Sequence, residues 1–379
     1  YRQLLTAYPF ISNSLSNPIN ILNEVTSSKE ANLVMVNADL EYKPIPVLTI
    51  KLLGGVESNE ELNTTYVTNN SLGGNSSANI NTRRYTSYLS ENTISYNQTF
   101  NQKHSISSVI GLTYQDFTTV SHGGGGSGYI SDIVGPFDIG AAINPNIPFS
   151  TYTKSQLLSA LGRLNYAYDE RYLLTASFRA DGASQFSEGD KWGYFPSVAA
   201  AWRISNEDFF GEESFISNLK LRTSWGAVGS QAIGPYTTLN LLYSGSTVLG
   251  DGLQVNYGPG TRLPQDLKWE TSETKNAGLD LGLLNNKLNM TLDYYVKNTR
   301  DLLNTVGLPS SMGYLTSIRN IGGLQNKGLE IGLDAKLFAT DNFIWDVNFN
   351  ISANRNKITK LAEDRDIFGG SVNVNLVQD

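Results

Sequence analysis

Between Leu288 and Val296 the side chains alternate without a break. Leu288, Met290, Leu292, Tyr294 and Val296 fall on one side, and Asn289, Thr291, Asp293 and Tyr295 on the other. A period of two marks an extended strand whose faces meet different surroundings; a helix cannot sort residues this way. The pattern recurs: Leu329–Leu337 sets Leu329, Ile331 and Leu333 against Glu330, Gly332 and Asp334, and Phe343–Ile351 sets Phe343, Trp345 and Val347 against Asp346, Asn348 and Asn350. Ala277–Leu283 behaves alike, as do Val34–Tyr42, Leu48–Val56, Tyr85–Phe100, Ile106–Asp116, Leu157–Tyr168, Tyr172–Asp181, Ser197–Ile204 and Leu219–Gly226. About a dozen strands are predicted, each near the ~9–11 residues that cross a bilayer at a tilt.

The connections are unequal. Asp169–Arg171, Asn285–Asn286 and Thr340–Asn342 read as tight turns, whereas Phe117–Gln156, Gly182–Tyr194, Tyr243–Lys268 and Asn298–Asn326 read as long polar loops. Outer-membrane barrels pair short periplasmic turns with long extracellular loops in this way. A soluble β-sandwich also alternates, so alternation alone leaves that class open. Charge placement separates them: Arg163, Arg179, Lys220, Arg222, Asp280, Asp293, Glu330 and Asp334 all fall on the polar side of their strands, and the opposite side is nearly uncharged. A charge facing lipid at the midplane costs about 2–4 kcal/mol, which enforces such segregation in a barrel with a wet interior. Tyr42, Tyr88, Tyr96, Tyr114, Tyr166, Tyr168, Tyr172, Trp202, Tyr243, Tyr294 and Trp345 lie near strand ends, as headgroup girdles require.

Composition narrows the function classes. Without cysteine, neither a disulfide framework nor a thiolate metal site is available. The 28 basic and 35 acidic residues are interspersed and sum to −7, which argues against a nucleic-acid binder. No run approaches the roughly 18 apolar residues of a transmembrane helix. The sequence opens on Tyr1 with no signal-peptide pattern, so a mature protein or a fragment is expected.

Few residues suggest chemistry. His122-Gly123-Gly124-Gly125 matches the HGGG oxyanion string of some esterases, and Gly123, Gly125 and Gly128 satisfy GxGxxG. Neither a nucleophile elbow nor a following helix supports them, and a surface loop is the expectation. His104 and His122 make no metal cluster, and Asp181, Glu188 and Asp190 lack calcium-loop spacing. No catalytic residue, metal or cofactor is predicted. Trp192, Tyr194, Trp225, Tyr236 and Tyr257 lie in or beside long loops, where flat rings can stack on a ligand or pack the loops together.

Several strings are more specific. Gly162-Arg163-Leu164-Asn165-Tyr166 with Tyr172-Leu173-Leu174-Thr175-Ala176-Ser177-Phe178-Arg179-Ala180-Asp181-Gly182 resembles the central hairpin of SusC-like TonB-dependent outer-membrane transporters of Bacteroidetes. In order follow Trp192–Ser197, Ala201–Ile204, Leu219–Gly226, Trp269-Glu270-Thr271-Ser272, Asn276–Asp280, Asn320-Ile321-Gly322-Gly323 and Asn326–Glu330, all similar to that family. The series covers about Leu157–Leu361, and residues 1–156 fit only by pattern.

The resemblance implies an all-β, antiparallel transmembrane barrel of 22 strands in the outer membrane, with an N-terminal plug and a SusD-like surface lipoprotein. It also implies import of a glycan or peptide powered through TonB. Residues 1–379 would be an incomplete barrel domain, with plug, TonB-interacting segment and closing aromatic strand expected elsewhere, because the chain stops at Val377-Gln378-Asp379. Arg163, Arg179, Arg222, Asp280, Asp293, Glu330 and Asp334 would line the lumen or meet the plug. A passive porin or surface-binding barrel is the alternative, and a hydrolase built on His122 is a remote third.

Overall fold

The computed structural model describes residues 18–71, 75–211, 215–340, 342–361, 367–368 and 375–376, so the terminal Val377-Gln378-Asp379 lies outside the described residues. After the helix α1 (Pro18–Glu24) come the strands β1 (Val25–Ile45), β2 (Leu48–Val67), β3 (Ser77–Phe100), β4 (His104–Ser127), β5 (Asn144–Pro145), β6 (Phe149–Tyr168), β7 (Tyr172–Ala183), β8 (Trp192–Arg203) and β9 (Ile216–Ser230). They continue with β10 (Leu242–Leu249), β11 (Gly252–Pro259), β12 (Arg262–Leu263), β13 (Glu270–Leu283), β14 (Leu288–Gly307), β15 (Thr316–Thr340) and β16 (Phe343–Lys360). The main sheet follows chain order, β1-β2-β3-β4-β6-β7-β8-β9-β13-β14-β15, with β5 added to β4, and β12 and β16 to β15. The hairpin β10–β11 stands apart from it. No helix among the described residues is long and apolar enough to cross a membrane.

Every strand expected from alternation is present, but most run well past their expected ends. The expected Leu48–Val56 continues to Val67, Ile106–Asp116 to Ser127, and Leu329–Leu337 begins already at Thr316. In these three the larger growth is at the end that joins a long connection. Beyond the hydrocarbon no lipid demands an apolar face, so alternation fades while the ladder hydrogen bonds persist. For the same reason the expected loop Tyr243–Lys268 contains a hairpin, and Asn298–Asn326 is mostly strand.

The tight turns are as predicted. Asp169 and Glu170 have φ of 51° and 52°, and Leu284, Asn285 and Asn286 have 53°, 56° and 59°. Paired left-handed residues match the twist of the flanking strands, and Asn and Asp tolerate them best. The β15–β16 hairpin closes through Thr340 and Phe343, with Asp341 outside the described residues.

The chain divides into two compact units. The first joins residues 1–38, 54–89 and 115–154. Its core packs Tyr66, Ala78 and Tyr129 with Ile139 and Ala142, and Ser76 Oγ accepts from the Tyr129 amide at 2.7 Å. Here the glycine run expected as a loop is strand: His122–Gly126 belongs to β4. A Cβ on Gly123 would stand 2.7 Å from the Ile80 carbonyl, so glycine lets the two backbones approach closely. The second unit holds residues 39–53, 90–114 and 155–379, including all the charged candidates.

Candidate functional site

Registers in the second unit turn one-strand alternation into rows that cross the sheet. Trp202, Leu221, Leu279, Leu292, Ile331 and Ile351 are successive cross-strand partners from β8 to β16. One residue along, Ala201, Arg222, Gly278, Asp293, Glu330 and Ser352 form the neighbouring row on the opposite face. Two residues further, Arg203, Lys220, Asp280, Thr291, Gly332 and Asn350 repeat the polar pattern, and Asp334 pairs with Asn289 and Asn348 in the next polar row. Arg163 opposes Ser177, which opposes Ser197; Arg179 opposes Phe195. All seven charged candidates therefore share one face.

Three of them form a network. Arg222 Nε donates to both oxygens of Asp280 at 3.0 Å, and its Nη2 reaches Asp293 Oδ2 at 3.0 Å. Arg222 and Asp293 stand on either side of Gly278, on β9 and β14. A Cβ there would lie 2.5 Å from Asp293 Oδ1 and 2.9 Å from Arg222 Cζ. The missing side chain of Gly278 opens the path across β13, and the fixed guanidinium fork then holds two carboxylates. Glu330 and Asp334 are exposed beside this network, without an ion-pair partner among the described residues; so is Arg163.

A second centre lies on the same face. Arg179 Nε bridges both Asp181 oxygens at 2.8 Å and Nη2 donates to Ser159 Oγ at 3.0 Å. Asp181, at the end of the expected strand Tyr172–Asp181, is held in β7 by arginine. Beside it Phe186 and Phe195 pack on Trp269 with ring centres 4.9 and 5.5 Å apart, joined by Ala183, Ile233 and Leu267. Trp269 Nε1–H donates to the Lys191 carbonyl at 3.0 Å. Pairing of β8 with β9 stops at Ser197, next to Pro196, which has no N–H to offer a ladder. A cavity of about 640 Å³ opens there, bordered by Arg179, Asp181, Phe195, Ser197, Gln231 and Trp269.

The aromatic candidates are distributed differently from the expectation. Trp192, Tyr194, Trp225 and Tyr257 are strand residues, in β8, β9 and β11. Trp192 lies over Gly182 and Tyr194 stacks on Phe178, both on the apolar face, and Trp225 sits there between Val198 and Lys275. Trp192, Tyr194 and Tyr257 move from expected loop to strand because those connections are largely strand, while Trp225 stays in its expected strand. Tyr236 alone stays in a turn, where it borders a cavity of about 570 Å³ with Tyr243 and Arg262. At the other strand ends Tyr168, Tyr172 and Trp202 stack in sequence, with centres 6.3 and 6.4 Å apart. Trp202 Nε1–H donates to Glu207 at 2.8 Å, and Arg171 pairs with Asp169, Glu207 and Asp208. Hydrogen bonds from Tyr172, Trp202 and Arg171 hold the Glu207 carboxyl below its ordinary range.

Sequence reading missed four contributors: Gly278, Ser159, Glu270 and Asn320. Glu270 accepts from the Leu303 amide at 2.7 Å where the β14 register shifts. The Asn320 amide ties the carbonyls of Lys268 and Asp301, each at 2.8 Å. Both sit in strings that carried the resemblance, so their role was signalled but not its geometry.

Residues 4–374 match the family model described as TonB dependent receptor-like, beta-barrel. TonB-dependent receptor SusC of Bacteroides thetaiotaomicron is 35% identical over 372 residues, covering 94% of this chain and 36% of that protein. TonB-dependent receptor P3 of Formosa agariphila is 34% identical over 364 residues, again 94% of the chain and 36% of the relative. The chain thus spans a little over a third of the length of these curated relatives. Among solved structures, the RagAB peptide importer in its closed-closed state superposes with a TM-score of 0.81 at 26% identity, over 89% of this chain and 38% of that one. The siderophore receptor PiuA of Acinetobacter baumannii, at 14% identity and a TM-score of 0.53 over 88% of this chain and 48% of its own, shares the fold alone. Together the rows, the turns and these likenesses make the chain a member of the TonB-dependent receptor β-barrel family of the bacterial outer membrane.

Proposed function

We propose that this chain is a stretch of barrel wall in an outer-membrane importer energised through TonB, whose cargo is a peptide or glycan nutrient. The observation that carries the reading is the single polar face bearing Arg163, Arg179, Arg222, Asp280, Asp293, Glu330 and Asp334. In this reading that face lines the interior, where it meets the plug and the passing solute, and the Leu221–Leu279–Leu292–Ile331 face meets lipid. The plug, the energy-coupling segment and the closing strand belong to the remainder of the polypeptide, and a SusD-like lipoprotein covers the outside. The wall performs no chemistry of its own; its task is to hold polar groups in a rigid sheet.

RagAB, a peptide importer by name, favours peptide, and the relationship to SusC keeps glycan open. Uptake of labelled oligopeptides and oligosaccharides by cells with and without the full-length protein tests this. Import is expected to vanish when TonB is deleted or the proton gradient is collapsed. Uptake that persists unchanged would instead establish the passive pore.

A further inference from the structure

The apolar face ends in a row of cations. Above the Leu279 row, on the side of the long connections, successive partners on this face are Val198, Trp225, Lys275, Val296, Lys327 and Arg355. Lys275, Lys327 and Arg355 are all exposed, and none has an ion-pair partner among the described residues. The outward carboxylate one row higher, Glu273, is taken by Arg300 at 2.6 Å. Lys327 and Arg355 stand directly opposite each other on adjacent strands, about 4.8 Å apart. Like charges in that position destabilise a sheet unless an anion lies between them.

From this juxtaposition we propose that Lys275, Lys327 and Arg355 form a binding site for the phosphate headgroup of a lipid in the outer leaflet. The height fits: the row lies where the apolar band gives way to polar strand, and Trp225 and Tyr294 mark that boundary. The shape fits as well. At the Lys275 end of the row Val198, Ala200, Ala277, Tyr294 and Val296 border, with Lys275 itself, a mainly apolar groove of about 500 Å³ that can seat the start of an acyl chain. Three cations along one row, Lys327 and Arg355 adjacent and Lys275 two strands away, supply the charge that a phosphate needs, and lysine and arginine near lipid extend toward the headgroups. The proposal rests on the same assignment of faces as the import reading, and not on energised uptake.

The test uses the full-length protein in phosphatidylcholine nanodiscs containing a graded fraction of phosphatidylglycerol, with retained lipid counted by native mass spectrometry. Wild type is expected to retain phosphatidylglycerol preferentially at low salt. Each cation near an anionic surface is worth about fivefold in affinity, so the triple variant Lys275→Gln, Lys327→Gln, Arg355→Gln should lose roughly a hundredfold. Lys297→Gln, which removes a charge next to Val296 but on the other face, should change nothing. Should the triple variant fail to show a heat-modifiable folded band, Lys327→Gln alone is read for its fivefold loss. Equal retention by wild type and variant, no preference over phosphatidylcholine, or an equal loss in Lys297→Gln each overturns the site. Displacement of the lipid by millimolar inorganic phosphate would assign it to free phosphate and overturn the lipid. Uptake is not measured, so failure of the import reading shows elsewhere, in the TonB experiment.

Discussion

The Leu279 row and the Gly278 row are one residue apart on every strand, yet they are built on opposite rules. Along the first, each partner is large and apolar, and among the described residues no side-chain hydrogen bond joins one to the next. Along the second, side chains depend on one another: Arg222 reaches Asp293 only because Gly278 has no Cβ. One face tolerates change of shape but not of charge, and the other tolerates water but not bulk.

The difference can be broken most sharply at Leu292 and Asp293. Leu292→Arg puts a cation on the apolar face, at a cost of about 2–4 kcal/mol, and should abolish the heat-modifiable folded band in outer-membrane fractions. Asp293→Asn keeps the polar face polar and should assemble at close to wild-type yield. Equal yields from both would falsify the assigned faces. Next in size, Gly278→Val drives a branched side chain between Arg222 and Asp293 and should cost about 1–3 kcal/mol by chemical denaturation, although valine favours strands elsewhere. A neutral Gly278→Val would mean that the network does not need the gap.

Arg222→Gln tests the polar row itself. It leaves Asp280 and Asp293 without their cation, and with these groups partly exposed the loss should be about 1–2 kcal/mol, shrinking as salt rises. The smallest effect belongs to the turn below both rows. Glu207, held ionised by Tyr172, Trp202 and Arg171, has a folded pKa below its unfolded one. Its contribution is complete above the ordinary glutamate range and is lost as pH falls through the lower folded value. Trp202 emission should therefore change on acidification in wild type and stay flat in Glu207→Gln; parallel titrations of the two would remove Glu207 from the turn.

How much of this was legible follows from what each feature depends on. Alternation is local, so the faces of β13 to β16 could be read directly from Ala277–Leu283, Leu288–Val296, Leu329–Leu337 and Phe343–Ile351. Strand length is not local where the bilayer ends: Thr299–Gly307 and Thr316–Asn326 carry Asn, Gly and Asp, read as loop, and are held in strand by their ladder. Register was out of reach, and with it the Gly278 gap, the Arg179–Ser159 bond and the row Lys275–Lys327–Arg355. Each of those cations, taken singly, is only a charge near a strand end. Aromatics were placed by neighbourhood, which left ligand stacking and packing both open for Trp192, Tyr194 and Trp225, and only the register shows that the three lie on the apolar face.

The excursion between β9 and β13 has its own thermodynamic consequence. Ser230 and Glu270 are direct partners in the sheet, so both ends of the intervening segment, hairpin β10–β11 included, are pinned by the wall itself. Once the ends are fixed, the cost of the segment grows only with the logarithm of its length, about 0.6 kcal/mol for each doubling. Insertions and deletions at the tip of hairpin β10–β11, clear of the packed Ile233 and Leu267 and of the β12–β15 pairing, are therefore nearly free, while a single-residue insertion in β9 or β13 would transpose every side chain beyond it to the wrong medium. The protein can renew what it presents to the outside without renegotiating how it sits in the membrane.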